Sequence, residues 1–159
     1  MTTRDEKRRA AVRNHEERIA AEEKRKADVE AARQGQEQKL RQAEQNWLTN
    51  ASQTIRAGVL ASSNGFAHQG CNYVIGGPDN TTPFSLGYRI VPSGRPTRTE
   101  AEFSFALRDG SVCPATTARG CEDFPSPVPV GDVTQDWVED VADSVMTALL
   151  GGQRIRIPD

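Results

Sequence analysis

Residues 3–46 read TRDEKRRAAVRNHEERIAAEEKRKADVEAARQGQEQKLRQAEQN, and they decide the architecture of the chain. They contain no proline, and most positions hold Ala, Glu, Lys, Arg or Gln, which are the strongest helix formers. Thr3 followed by Glu6 matches a capping box, in which the two side chains bond free N–H groups at a helix start. The stretch predicts one long, mostly charged helix, which we expect to continue to about Ser63.

This helix has only a narrow apolar face that a partner could bury. A heptad frame that starts at Val12 has Lys26 and Arg33 among its a positions, so it makes a poor dimeric coiled coil. Its d positions are mostly polar: His15, Glu22, Val29, Gln36, Ala43 and Asn50. An eleven-residue spacing fits better and favours a straight or slightly right-handed course, unless the spacing reflects only the abundance of alanine. It is carried by Ala10, Ala21, Ala32 and Ala43. We expect self-association through residues 4–40 alone to be weak.

The composition of the helix changes from mostly charged to more apolar after residue 46. Apolar residues then recur at steps of three and four, as in a helix packed on a core. They are Trp47, Leu48, Ala51, Ile55, Val59 and Leu60. Asn64 or Gly65 is suited to the left-handed conformation that ends a helix. We therefore expect two parts: a projecting charged helix (residues 1–46) with weak coiled-coil capacity, and a globular domain (residues 47–159).

After Gly65 the apolar residues alternate with polar ones, which is typical of strands with one buried face. The alternating runs are residues 71–75, 84–90 and 103–107. Asp109-Gly110 is a hairpin signal that leads into a short fourth strand, which Pro114 interrupts. The pattern predicts an antiparallel meander of three to four strands.

The rest of the chain completes the expected fold. Residues 114–131 are rich in proline and predict an irregular connection. A second helix follows, capped by Asp132 or Thr134, with a wide apolar face; Gly151-Gly152 should end it. Residues 154–158 alternate and suggest an edge strand. The order predicts an α+β fold: a small two-layer domain in which the end of the long helix and the C-terminal helix pack on one sheet face.

Composition limits the function classes. The chain has 159 residues and a formal net charge of −2, which divides into +2 for residues 1–46 and −4 for the rest. Neither part is basic enough to predict nucleic-acid binding, and no apolar run approaches the length of a transmembrane segment. The three cysteines fit a reducing compartment better than a disulfide scaffold. We expect a cytoplasmic protein, with a periplasmic location as the alternative.

The histidines and cysteines raise two kinds of chemistry. His68, Cys71, Cys113 and Cys121 are the residue types that hold zinc tetrahedrally, although Cys113 and Cys121 are farther apart than usual zinc ligands. The alternatives are a Cys113–Cys121 disulfide, or thiols without a role. His68 could also act as a base, but no nucleophile motif surrounds it. We therefore expect neither catalysis nor a resident cofactor.

Charged clusters and one aromatic residue are the candidates for partner binding. Arg95 and Arg98, near Arg89, could bind a phosphate or carboxylate. The C-terminal helix carries an acidic face, which could bind a basic partner such as the charged helix of another copy. The acidic residues are Asp136, Glu139, Asp140 and Asp143. Trp47 marks an apolar region with area for self-association. Solvated charges are the simpler interpretation of both clusters.

These observations favour a non-enzymatic interaction or scaffolding protein, whose long helix spaces or oligomerises a partner-binding head. Two alternatives remain. A long Ala/Glu/Lys helix before a small helix–sheet–helix head is similar in architecture to the periplasm-spanning TolA type, which would imply an envelope-associated linker. A small ligand- or metal-binding domain with a helical appendage is the other.

Overall fold

The computed structural model describes residues 2–79, 82–95, 97–121 and 124–155. The N-terminal helix α1, Thr2–Asn46, passes through a π-helical turn, Trp47–Ala51, into α2, Ser52–His68. The predicted long helix is therefore confirmed, but it ends at His68 rather than near Ser63. Its end is set by Gly70, which adopts φ +81°, and by the Cys71 N–H group, which donates to the Phe66 carbonyl at 3.0 Å.

The chain divides into two units, residues 1–39 and 40–159. The first unit is helix alone, and the side chains of residues 3–34 are all exposed. The second unit holds the end of α1, the π-helical turn, α2, the sheet and the C-terminal helix α3, Gln135–Ile155.

The sheet is an antiparallel meander in the order β1-β2-β3-β4-β5. Its strands are β1 Tyr73–Asp79, β2 Ser85–Pro92, β3 Ala101–Arg108, β4 Ser111–Thr116 and β5 Val128–Pro129. The α+β fold and the first four strands agree with the sequence prediction. Asp109 and Gly110 form the tight β3–β4 turn with φ of +50° and +80°, which is the conformation that an Asp-Gly hairpin requires.

Four sequence predictions about the later elements were wrong. Pro114 does not stop β4, because β5 pairs only with Ser111 and Val112, so the proline nitrogen needs no partner on that side. The connection expected to be irregular contributes β5 itself. Gly151-Gly152 does not end α3, which continues to Ile155. The edge strand expected at 154–158 is therefore absent at its first two residues, and the remainder lies outside the described residues.

A single core fills the space between the sheet and the helices. The long helical run contributes a row of buried residues spaced by four, and α3 contributes residues with no exposed surface. These are Ala43, Trp47, Ala51, Ile55 and Val59 from the first, and Val138, Val141, Ala142, Val145 and Met146 from α3. The sheet adds alternate residues of its inner strands, Leu86, Tyr88, Ile90, Phe103, Phe105 and Val112. One face of the sheet is therefore covered by helices.

The π-helical turn explains how a row spaced by four stays on the core. In an α-helix each four-residue step drifts by roughly 40° around the axis, so a long row would rotate out of contact. The Ser52 N–H group instead donates to the Trp47 carbonyl, an i→i+5 bond that places more residues in the turn. The extra residue offsets much of the drift and keeps both Trp47 and Ile55 buried.

Candidate functional site

The four candidate zinc ligands do not gather into a metal site. Within the described ranges there is no group of three or more His, Cys, Asp or Glu side chains placed to hold a metal ion. His68 is exposed at the last position of α2, whereas Cys113 lies in β4 opposite Ala106. The sheet separates Cys113 in β4 from His68 at the end of α2. The spacing of these residues along the chain could not reveal this separation.

The cysteines are free thiols. Cys71, Cys113 and Cys121 are each half-buried and unbridged. The Cys121 Sγ atom lies 3.7 Å from the Ser144 carbonyl oxygen of α3. Burial raises the pKa of the Cys121 thiol, so this residue favours its neutral form rather than a reactive thiolate.

The predicted arginine cluster is divided between two ion pairs. Arg98 contacts Glu100 at 2.9 Å, and Arg89 contacts Asp79 at 3.0 Å. Arg95 is exposed in the turn between β2 and β3. The Arg89 and Arg98 guanidinium groups are thus engaged with separate carboxylates, and the structure does not present the three arginines as one anion-binding cluster.

The acidic residues of α3 have two different environments. Asp136 and Asp140 are exposed, and Glu139 is half-buried. Asp143 accepts a hydrogen bond from the buried Ser62 hydroxyl of α2 at 2.5 Å. Because Asp143 joins α2 to α3, it contributes to the packing of the helices, and the surface acidic face is smaller than the sequence suggested.

Trp47 offers no contact area to a partner. It is 1% exposed and belongs to the core, because the π-helical turn directs it inward. The exposed apolar residues of α1 lie elsewhere. Val12 is 57% exposed, Ile19 is 43% exposed and Val29 is 63% exposed. These three are the large apolar residues of positions 2–39, and the next one in α1, Leu40, is 40% exposed.

The open face of the sheet holds a groove of about 450 Å³. Gly87, Ser104 and Ala115 pair in one row across β2, β3 and β4 and line it. Strand alternation places them on the side away from the core, and their small size leaves the sheet surface hollow. The sequence carried this signal, since Gly87 in β2 and Ser104 in β3 are small residues at solvent-facing positions. Arg89 and Asp79, which also line the groove, form the ion pair described above.

A second cavity, of about 220 Å³, lies between α2 and β1. Tyr88 lines it from the sheet and is only 4% exposed. Among the described residues its hydroxyl group has no hydrogen-bond partner. A buried hydroxyl left without a partner costs about 1–3 kcal/mol. Sequence analysis missed this residue because Tyr88 reads as an ordinary alternating core position.

The charge near Tyr88 comes from α2. Burial raises the pKa of the Tyr88 phenol to about 12, and the nearby Arg56 guanidinium opposes that rise. Arg56 is exposed and lines the same cavity. The cavity therefore combines one accessible cation, one buried hydroxyl and apolar walls.

Comparison with known proteins found no matching family model, no similar curated protein and no similar solved structure. Across the described ranges, no helix combines the length and the apolar character needed to cross a bilayer.

Proposed function

We propose that this is a non-enzymatic interaction and scaffolding protein, in which α1 pairs with α1 of a second copy. The assembly would hold two α+β units together. One observation carries the proposal: Val12, Ile19 and Val29 are all exposed, and at 3.6 residues per turn they fall within a sector of about 100° on one helix face.

The choice of residues supports a buried role for this face. Valine and isoleucine are poorer helix formers than the Ala, Glu, Lys and Gln that surround them. An isolated charged helix gains nothing from β-branched apolar residues on an exposed surface. Burial against a partner would supply a physical reason for them.

Charge indicates which orientation the pair would take. In a parallel, in-register pair, Glu22 would face Glu22 and Lys26 would face Lys26, which is unfavourable. In an antiparallel pair, a positions face d positions. One antiparallel register then places Ile19 opposite Val29 and Glu22 opposite Lys26 of the second copy. Each of these contacts occurs twice by symmetry, so Ile19 meets Val29 and the opposite charges meet, while Val12 faces Gln36 of the second copy.

The same geometry keeps the pairing weak. Each copy contributes three partly exposed apolar side chains, and association must also offset the lost rotational and translational freedom. We expect a dissociation constant of about 0.1–1 mM. Such a helix would associate when copies are concentrated or are held together by another partner.

Sedimentation equilibrium over a wide concentration range tests the proposal. The doubly substituted Ile19→Glu/Val29→Glu chain should remain monomeric at concentrations where the parent chain associates. Ala20→Glu/Ala31→Glu is the matched control, because it adds the same charge on the opposite face and should associate like the parent. Circular dichroism checks that helix content is kept in both. A parent chain that stays monomeric up to about 1 mM would contradict the proposal.

Charge reversal tests the orientation separately. Glu22→Lys or Lys26→Glu alone should weaken association, because each places like charges opposite each other in the antiparallel register. The double reversal Glu22→Lys/Lys26→Glu should restore it. Failure of the double reversal to restore association would exclude this register while leaving self-association itself intact.

A further inference from the structure

The cavity between α2 and β1 has a composition suited to a small amphipathic ligand. Arg56, Ser63 and Tyr88 provide its polar groups. The apolar wall consists of Val59, Leu60, Ile75 and Pro78. No aspartate or glutamate occurs among the described residues that line it. The cavity is therefore electrostatically suited to an anion rather than a cation.

The Tyr88 ring cannot move easily to find a partner for its hydroxyl group. It stacks on Phe103 with ring centroids 5.4 Å apart, and Phe105 packs edge-on at 6.3 Å. Gly77 also lies close to the ring, since a Cβ atom there would lie 3.2 Å from the Tyr88 Cδ1 atom. Because the ring is held by three neighbours, its hydroxyl is a donor that is fixed in position, and it has no partner among the described residues.

Arg56 supplies the positive charge of this cavity. Among the described residues it forms no ion pair, whereas Arg33, Arg89 and Arg98 each do. A guanidinium group presents several N–H donors in a plane and suits carboxylate oxygens. Ser63 braces the cavity, since its hydroxyl oxygen accepts a hydrogen bond from the Ile75 N–H group at 3.4 Å.

We propose that this cavity binds a short aliphatic carboxylate. One carboxylate oxygen accepts a hydrogen bond from the Tyr88 hydroxyl and the other accepts from the Arg56 guanidinium. The hydrocarbon tail lies against Val59, Leu60 and Ile75. A volume near 220 Å³ corresponds to about seven water molecules, so the ligand has a small tail rather than a long chain. A single cation matches a singly charged carboxylate better than a phosphate dianion.

Methyl NMR of the full chain, titrated with isovalerate, tests this site. The Val59, Leu60 and Ile75 methyl signals should shift together and saturate. Isovaleramide, which has the same shape without the charge, should bind at least about tenfold more weakly. Inorganic phosphate should not displace isovalerate. The proposal is overturned if isovalerate produces no saturable shift, or if the amide binds equally well.

Two variants separate the roles of the polar groups. Arg56→Gln should weaken isovalerate binding about tenfold, whereas Arg108→Gln, an exposed arginine that lines no described cavity, should leave it unchanged. Tyr88→Phe keeps the ring packing and should weaken binding several-fold. Unchanged binding in Arg56→Gln, or in a folded Tyr88→Phe, overturns the assignment. Higher stability of Tyr88→Phe together with no carboxylate binding by the parent would indicate a water site and also overturn it.

Discussion

Replacing Gly58 with alanine is a direct test of how α2 packs on α3. Gly58 is buried, and a Cβ atom there would lie 2.6 Å from both Cβ and Cγ1 of Val138 and 3.2 Å from the Gln135 carbonyl oxygen. Carbon atoms in contact prefer about 3.5 Å, so the helices must separate by about 0.9 Å. Val138 has no exposed surface and is β-branched, so it cannot rotate out of the way.

Two opposing terms set the expected magnitude. Overpacking of this kind costs about 1–3 kcal/mol. Alanine recovers up to about 1 kcal/mol as the better helix former. We therefore expect Gly58→Ala to lower the free energy of unfolding by about 1–2 kcal/mol, which corresponds to roughly 4–8 °C in Tm.

The same helix provides the matched control. Gly65 lies in α2, and a Cβ atom there would meet nothing within 4 Å. Gly65→Ala should therefore gain about 0.5–1 kcal/mol. Urea unfolding followed by tryptophan fluorescence is the suitable assay, because Trp47 and Trp137 both belong to the α+β unit. If Gly58→Ala is as stable as the parent chain, or as stabilising as Gly65→Ala, the close α2–α3 packing described here is wrong.

Three further predictions follow from buried polar groups. Ser62→Ala should cost about 1–2 kcal/mol in urea unfolding, because Asp143 loses a hydrogen bond between α2 and α3; an unchanged midpoint would contradict this. Phenolate absorbance should show Tyr88 ionising near pH 12 rather than 10. Since the folded state holds this proton more tightly, the contribution of Tyr88 to stability is complete below pH 10 and lost as pH rises through about 12; Tyr88→Phe should remove this alkaline loss. At neutral pH, Cys121 should alkylate several-fold more slowly in the folded than in the denatured chain, because burial raises its pKa; equal rates in peptide mapping would rule out that burial.

Much of the architecture was predictable because it depends on local signals. Helix propensity acts residue by residue, so the run from Thr3 could be assigned without knowledge of its neighbours. Strand alternation and the Asp109-Gly110 turn likewise act over a few residues. Predictions of element ends were less successful at Pro114 and Gly152, where pairing or helix continuation overrides the local preference.

The candidate site was far less predictable. The zinc ligands were grouped by residue type, but their separation depends on which strand carries Cys113. Trp47 was expected both in an apolar stripe packed on the core and in an area for self-association, and the structure places it in the core. Tyr88 looked like any other alternating residue, and its lack of a partner arises only from the elements that surround it.

By itself, the sequence determined the long charged helix, the order of the first four strands and the helices, and the α+β class, because propensity and periodicity are properties of neighbouring residues. Only the tertiary structure decided that Ser62 donates a hydrogen bond to Asp143, which is 81 positions away. It also decided that Val138 packs directly against Gly58 and that Arg56 and Tyr88 line the same cavity. Such contacts depend on how helices and sheet pack in three dimensions, and no local pattern encodes the distance between them.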